Sequence, residues 1–218
     1  MTTRTTTGNA APTGTTHRPN TARLLLLAAL AGPAFYLSSL LQALTRPGFD
    51  IRIHPLSQLA SGELGWIQVL SFVIAGLGGL ALSAGYRRIR PDGFGRRWAP
   101  LLIAGFGLGF ILAGLFPMDR QNGFPVGAPE GTVPLSWHAI VHVSAAAVSF
   151  LSLAVACILL VVRSVRQRHA AASIGHGVVA LVLLLPTSPT ESSIQIALTG
   201  LVAFTWVTVV AIRLRACA

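Results

Sequence analysis

Long apolar stretches, separated by short polar segments, make up most of this chain. Six stretches follow one another, and most approach the ~20 residues that a helix needs to cross the hydrocarbon core of a bilayer. They are residues 24–44, 64–84, 99–117, 137–162, 171–186 and 193–212. The pattern predicts an all-α, polytopic membrane protein that forms a bundle of six transmembrane helices.

Two of these stretches leave alternatives open. The fifth is the shortest, and Gly175, His176 and Gly177 lower its hydropathy. Five spans with a re-entrant fifth segment are therefore an alternative. The first stretch resembles a signal peptide in which residues 29–31, Ala-Leu-Ala, precede the cleavage site. Because the apolar run continues through Leu41, we expect this segment to be retained as a span.

The polar ends of the chain set the predicted domain boundaries. Residues 1–21 are rich in threonine, with scattered Gly, Pro and Asn, and contain no apolar run. A segment with so little apolar surface to bury is expected to be a disordered tail. The transmembrane domain is predicted over residues 22–213, and residues 214–218 form a second, short tail.

Composition supports a membrane protein and excludes several chemistries. Hydrophobic residues make up 53% of the chain and charged residues 10%, with a mean hydropathy of +0.69, whereas soluble domains carry about 25% charged residues. All 16 basic residues are arginine. Walker A loops and Schiff-base catalysis need a lysine, so neither is available. Cys157 and Cys217 are too few for an iron–sulfur cluster.

The arginines divide the predicted loops into two sides. If the N-terminus is cytoplasmic, thirteen of the 16 arginines fall in cytoplasmic segments, and only Arg46, Arg52 and Arg120 lie outside. Five of the six acidic residues fall on the outer side, and only Asp92 falls inside. Since cytoplasmic loops retain arginine, both termini are predicted in the cytoplasm and the protein in the plasma or inner membrane.

The net charge of +10 does not indicate nucleic-acid binding. The arginines lie in short loops that flank apolar stretches, without the interleaved aromatic residues of a nucleic-acid surface. Arginines in that position interact with lipid headgroups. We therefore expect membrane lipid, and no nucleic acid, among the partners.

The fourth stretch carries a polar stripe. At 100° per residue, His138, His142, Ser149 and Ser152 fall on one face of a helix. Ionisable groups at membrane depth are costly and face the bundle interior or a wet cavity, so this face is expected to point inward. Two histidines four residues apart also suit a shared metal ion or a proton relay. Hydrogen bonds to neighbouring helices, or to headgroups near the outer interface, are the alternative explanation.

Other ionisable residues are predicted at the same level. Asp119 follows the third stretch and reaches the outer end near His138. A carboxylate with two imidazoles is a plausible first shell for zinc, so Asp119, His138 and His142 are candidate metal ligands, with a fourth position for water.

The loop before the second stretch adds three residues to this level. Ser57 is a candidate for stabilising an oxyanion or contacting a headgroup, and His54 and Glu63 lie nearby in the chain. With Asp119, His138 and His142, Ser57 completes the candidate catalytic set. His54, Glu63 and Ser149 complete the predicted ligand pocket.

Several short motifs resemble the bacterial integral membrane family catalogued as domain of unknown function 998. They are residues 63–68 (Glu-Leu-Gly-Trp-Ile-Gln), residues 114–119 (Gly-Leu-Phe-Pro-Met-Asp), residues 123–125 (Gly-Phe-Pro) and residues 137–138 (Trp-His). The resemblance covers roughly residues 24–212. It implies six spans and places Asp119 and His138 in the family pattern, but it implies no activity.

A more distant likeness is to the seven-helix hydrolases that include alkaline ceramidases. Those enzymes use a serine, an aspartate and an HxxxH pair around zinc, and the matching residue types here are Ser57, Asp119, His138 and His142. The six predicted spans, and an HxxxH pair on the fourth instead of the last, depart from that pattern.

Together these features favour a multi-pass membrane protein with an outward-facing polar pocket, around Asp119, His138 and His142, that binds a lipid headgroup or small ligand. One alternative is a zinc-dependent intramembrane hydrolase of lipid amide or ester bonds. The other is a transporter in which the polar stripe of the fourth helix forms part of a substrate or proton path.

Overall fold

Six α-helices correspond to the six apolar stretches. The computed structural model describes residues 17–186 and 193–218. Its helices are α1 (His17–Thr45), α2 (Gly65–Ile89), α3 (Trp98–Leu115), α4 (Trp137–Arg166), α5 (Ala170–Leu183) and α6 (Ser193–Arg215), and a short 3-10 helix (Leu56–Ala60) precedes α2. No β-strand occurs within the described ranges. The all-α prediction is therefore confirmed.

Five of the six helices, all except α5, are long and apolar enough to cross a membrane. α5 has 14 residues, which at 1.5 Å per residue is about 21 Å, short of the ~30 Å hydrocarbon core. The protein thus has multiple membrane-spanning helices, but the predicted count of six spans is not confirmed.

The predicted tails coincide only partly with the ends of the helices. α1 begins at His17, so residues 17–21 of the predicted N-terminal tail are helical, and the rest of that tail lies outside the described residues. At the other terminus α6 continues to Arg215, two residues beyond the predicted boundary.

Successive helices pack against one another, and α6 closes the bundle by packing on α1. Leu25, near the start of α1, contacts Gly85, near the end of α2. At the opposite end, the Ser193 hydroxyl at the start of α6 donates to the carbonyl of Ile53 in the α1–α2 loop (3.0 Å). The helices therefore alternate in direction along the bundle.

The two ends of this bundle differ in composition. Most of the described arginines lie at one end, which we call the arginine-rich end: Arg23, Arg87, Arg88, Arg90, Arg96, Arg97, Arg163, Arg166, Arg168, Arg213 and Arg215. The other end is covered by residues 46–64, between α1 and α2, and residues 116–136, between α3 and α4. We call these two loops the cap.

α2 and α3 approach each other through glycines. The backbones of Gly76 and Gly79 lie directly against Gly107, where a Cβ would sit 2.9 Å from the backbone nitrogen of Leu80. Helices pack this closely in membranes only where small residues remove side-chain bulk. The contact fixes α3, and with it the start of the second cap loop.

Aromatic side chains fill the middle of the bundle. Phe35 of α1 packs edge-on against Phe72 of α2 (5.2 Å between ring centroids) and stacks on Phe204 of α6 (5.5 Å). Phe110 of α3 contacts Phe204 at 4.9 Å. One cluster thus joins four helices, and edge-to-face pairs of this kind contribute about 0.5–1.5 kcal/mol each beyond their buried area.

Replacing Gly107 with alanine tests the α2–α3 contact. Gly107→Ala forces the two backbones apart, and we expect it to lower the free energy of unfolding by about 1–3 kcal/mol. Gly175→Ala is the control, because a Cβ there meets no atom within 4 Å and alanine favours a helix. Unfolding of the purified protein in mixed micelles measures both. Equal losses of stability in the two variants would contradict the proposed contact.

Candidate functional site at the capped end

The two cap loops are joined by hydrogen bonds from buried side chains. Gln58, in the 3-10 helix, donates through Nε2 to the carbonyls of Gln121 (2.7 Å) and Phe124 (3.1 Å). His54 Nδ1 accepts from the backbone N–H of Asp50 (2.9 Å). The hydrogen of the neutral ring is therefore on Nε2, which donates to the carbonyl of Asn122 (2.8 Å). These hydrogen bonds hold the first cap loop against the second.

Phe124 lies at the centre of the cap. It is almost fully buried and contacts the rings of Phe49 (5.3 Å) and His54 (5.4 Å). The Arg46 guanidinium lies 4.8 Å from its centroid and donates to the carbonyls of Leu59 and Ser61 (2.5 and 2.7 Å). His54, predicted to line the ligand pocket, thus connects the two loops.

Asp50 and Arg52 form an ion pair on the cap surface, with Oδ2 and Nη2 2.7 Å apart. Hydrogen bonds from the side chain and backbone N–H of Arg52 lower the pKa of Asp50 from 3.8 to about 2. Because the folded-state pKa is lowered, the stabilisation is present above pH 3.8 and is lost as the pH falls towards 2. The contribution is small because the pair is solvent-exposed.

Asp119 and His138 meet through Ser136, which the sequence analysis did not single out. The Asp119 carboxylate accepts two hydrogen bonds from Ser136, one from the backbone N–H (2.8 Å) and one from the hydroxyl (2.7 Å). Ser136 is the N-cap of α4, and its Oγ accepts from the N–H of Ala139 (3.3 Å). The His138 ring lies 3.0 Å from the same Oγ.

The direction of these hydrogen bonds defines what the cluster can do. The hydroxyl hydrogen of Ser136 goes to Asp119, whereas in a Ser-His-Asp hydrolase the serine donates to histidine, which acts as base. His138 Nδ1 is also 3.1 Å from the carbonyl of Pro117. His138 Nε2 lies 3.9 Å from Asp119 Oδ1, so the two form an ion pair when the ring is protonated. The cluster ties the end of α3 to the start of α4.

His142 forms hydrogen bonds with backbone carbonyls at the end of α3. Its Nδ1 lies 2.7 Å from the carbonyl of Ala113 and 3.1 Å from that of Phe116. In a continuous helix the Ala113 carbonyl would accept from residue 117, but Pro117 has no N–H. His142 therefore donates to a carbonyl that would otherwise be unpaired at membrane depth, where an unsatisfied polar group is costly. Its Nε2 is the nitrogen left with a lone pair.

The polar stripe of α4 faces α3, as predicted from its periodicity. Ser149 is fully buried, and its hydroxyl donates to the carbonyl of Phe106 (2.7 Å). Gly109 packs against Ser149, and Gly105 packs against Ser152. Ser149, predicted as a pocket residue, therefore lies in a helix–helix interface.

Of the other predicted site residues, Ser57 lies half-buried in the 3-10 helix and Glu63 is exposed just before α2. Within residues 17–186 and 193–218, no hydrogen bond joins Ser57 to Asp119, His138 or His142, and no group of three or more His, Cys, Asp or Glu side chains is placed to hold a metal ion. The zinc site stays a sequence-based prediction without a complete ligand set.

A cleft of about 430 Å³ opens between the two cap loops. Its charged residues are Arg46 and Glu63 from the first loop and Arg120 from the second. Glu63 and Arg120 form no ion pair within the described part of the chain. Leu64 and Val126 add exposed apolar surface. The cleft therefore presents both signs of charge beside an apolar rim.

Sequence reasoning also missed a buried polar cluster between α1 and α2. Gln68 Nε2 donates to Ser39 Oγ (3.0 Å), and Gln42 Nε2 donates to Gln68 Oε1 (2.8 Å). The signal was present, because glutamines inside an apolar stretch must find partners. Ser136 was also detectable, since a serine directly before an apolar run is a typical N-cap.

A double-mutant cycle tests whether Asp119 acts through Ser136. We expect Ser136→Ala to lower the free energy of unfolding by about 1–2 kcal/mol through loss of the cap. Adding Asp119→Ala to Ser136→Ala should cost clearly less than Asp119→Ala alone, because the two residues share hydrogen bonds. Ser173→Ala is the control, since that hydroxyl donates to the carbonyl of His169, the N-cap of α5, at the other end of the bundle. Strict additivity would show that the two side chains are independent.

Comparison with known families gives one match. A family model described as protein of unknown function (DUF998) matches residues 29–214. No curated protein and no solved structure matches the chain, and the likeness to seven-helix hydrolases is not confirmed. Because the matched region covers all six helices except the start of α1 and the end of α6, the chain belongs to the DUF998 family of multi-span membrane proteins.

Proposed function

We propose that this protein binds a zwitterionic phospholipid headgroup in the cleft between the two cap loops. The observation that carries the proposal is that Arg120 and Glu63, from different cap loops, line one cleft without forming an ion pair with each other. A headgroup such as phosphoethanolamine has a phosphate that arginine binds and an ammonium that a carboxylate binds.

The level of the cleft relative to the bilayer surface supports a lipid ligand. Leu64, which lines it, lies two residues before Trp66 at the start of α2, and Trp66 is 62% exposed. Trp137, at the start of α4, is 68% exposed. Tryptophans at helix ends sit at the level of the lipid headgroups, so the cleft lies where a headgroup of the surrounding bilayer can enter it laterally.

The contacts that hold Arg46 in place also support binding. Arg46 is held by two carbonyls and the Phe124 ring, and burial lowers its pKa without removing its charge. It keeps a fixed positive charge on one wall. A preformed site loses less conformational entropy on binding than a mobile loop does.

The arginine distribution supports a location in the plasma or inner membrane with the arginine-rich end in the cytoplasm. Folding brings the arginine-containing helix ends to one end of the bundle, and cytoplasmic segments retain arginine. The cap, and the cleft within it, then face the extracytoplasmic side.

The hydrolase and transporter alternatives remain sequence-based predictions. The hydroxyl of Ser136 is engaged by Asp119, and that of Ser149 by the Phe106 carbonyl. The first contact engages Asp119, a candidate zinc ligand, and the second engages the stripe on which the transporter alternative depends. Binding in the cleft uses neither contact.

Lipid titration tests the proposed cleft. The delipidated full chain is titrated with phosphatidylethanolamine, and bound lipid is counted by native mass spectrometry. We expect Arg120→Gln and Glu63→Gln each to weaken binding by about 3–10-fold, corresponding to the loss of one exposed charged contact. Arg52→Gln is the matched control, because Arg52 lies in the same cap but pairs with Asp50 outside the cleft. Unchanged binding in both cleft variants would exclude this site.

The native cysteine Cys217 tests the orientation. It is exposed, whereas Cys157 is buried, so a membrane-impermeant maleimide should report Cys217 alone. We expect no labelling in intact cells and labelling after permeabilisation. Glu130→Cys, in the cap, should be labelled in intact cells. Labelling of Cys217 in intact cells would reverse the orientation.

A further inference from the structure

A groove runs between α5 and α6 towards the arginine-rich end. α5 packs mainly along α4 and only sparsely against α6, which leaves a cavity of about 400 Å³ between α5 and α6. A second cavity of about 540 Å³ lies nearer the helix ends. Both are lined by Ala172, His176, Val210 and Arg213. We call these two adjoining cavities the α5–α6 groove.

The half of the groove nearer the middle of the bundle is apolar. Its walls are formed chiefly by Ala171, Val179, Leu201, Val202 and Val209. Trp206 Nε1 donates to His176 Nδ1 across the groove (2.9 Å), so these two polar side chains satisfy each other, and Arg213 is shared with the second cavity. A Cβ on Gly175, which also lines this half, would meet no atom within 4 Å. The apolar lining of this half suits a hydrocarbon chain.

The other half of the groove is basic. Arg90 from the end of α2, Arg163 from α4 and Arg213 from α6 line it, and no carboxylate does. Arg163 Nη1 is held by a hydrogen bond to the Tyr86 hydroxyl (3.3 Å). Within the described residues none of these three arginines forms an ion pair. Asp92, the acidic residue at the same end, lies 3.9 Å from Arg96 instead.

Three unpaired guanidinium groups beside a low-dielectric interior repel one another. A phosphate relieves this repulsion, because its oxygens accept paired hydrogen bonds from arginine. A free phosphate would leave the apolar half unfilled. A zwitterionic headgroup would bring an ammonium group against the arginines. An anionic phospholipid satisfies both halves.

We propose that the α5–α6 groove binds one anionic phospholipid, with its phosphate among Arg90, Arg163 and Arg213 and one acyl chain between α5 and α6. This site is at the opposite end of the bundle from the cap cleft and does not depend on it. The bound lipid would fill the gap between α5 and α6, and so anchor the helix that is too short to span the membrane alone.

Titration with phosphatidylglycerol tests this proposal. The delipidated full chain carrying Glu63→Gln and Arg120→Gln, which remove the charged contacts of the cap cleft, is titrated with phosphatidylglycerol or phosphatidylcholine, and bound lipid is counted by native mass spectrometry. We expect one phosphatidylglycerol per chain, bound at least about tenfold more tightly than phosphatidylcholine, and no displacement by millimolar inorganic phosphate. Arg213→Gln removes one phosphate contact and Gly175→Leu fills the apolar half, and each should weaken binding by about tenfold.

Arg215→Gln is the matched control, because Arg215 lies at the same end of α6 but does not line the groove. It should bind phosphatidylglycerol as the chain without this substitution does. If Arg213→Gln does not fold, Gly175→Leu still decides the question, since its side chain enters open space. Equal affinity for the two lipids, displacement by phosphate alone, unchanged binding in Gly175→Leu, or equal weakening in Arg215→Gln would overturn the proposal.

Discussion

The close contact of α2 with α3 through Gly76, Gly79 and Gly107 is the constraint on which the rest of the structure depends. With no side chain between the two backbones, α3 has a single position relative to α2. Phe110 then enters the aromatic cluster shared with α1 and α6. The end of α3 is placed beside the start of α4. Association in a membrane depends on packing of this kind, because lipid is as apolar as the helices.

The polar residues near the capped end form the hydrogen bonds that the end of α3 lacks. α3 ends at a Phe-Pro sequence, and Pro117 cannot donate to the Ala113 carbonyl. His142 donates instead, while Asp119 and Ser136 hold the next helix start in register. The residues that looked most catalytic in the sequence therefore terminate one helix and begin another. The charged groups left free for a ligand, Glu63 and Arg120, lie in the cap.

The two ends of the bundle consequently offer different chemistry to lipid. The cap cleft combines arginine with glutamate, whereas the α5–α6 groove holds arginines without a carboxylate among its lining residues. This difference follows from the same segregation of arginine that indicates topology. In the two proposals above, zwitterionic and anionic headgroups bind at opposite ends of the bundle, with the short helix α5 beside the anionic one.

The sequence by itself determined the properties that depend on local composition: the all-α class, the helix positions, the inward face of α4 and the grouping of arginines. It also placed Asp119 near His138, because both adjoin helix ends on one side. Contacts between distant residues decided the rest. The role of His54 depends on Asn122, that of Ser149 on Phe106, and that of His142 on the carbonyls of α3. Hydropathy raised the five-span alternative, but it cannot show where α5 ends, nor that a groove remains beside it. Both depend on where the backbone leaves the helix and how closely its neighbours pack, which only the tertiary structure fixes.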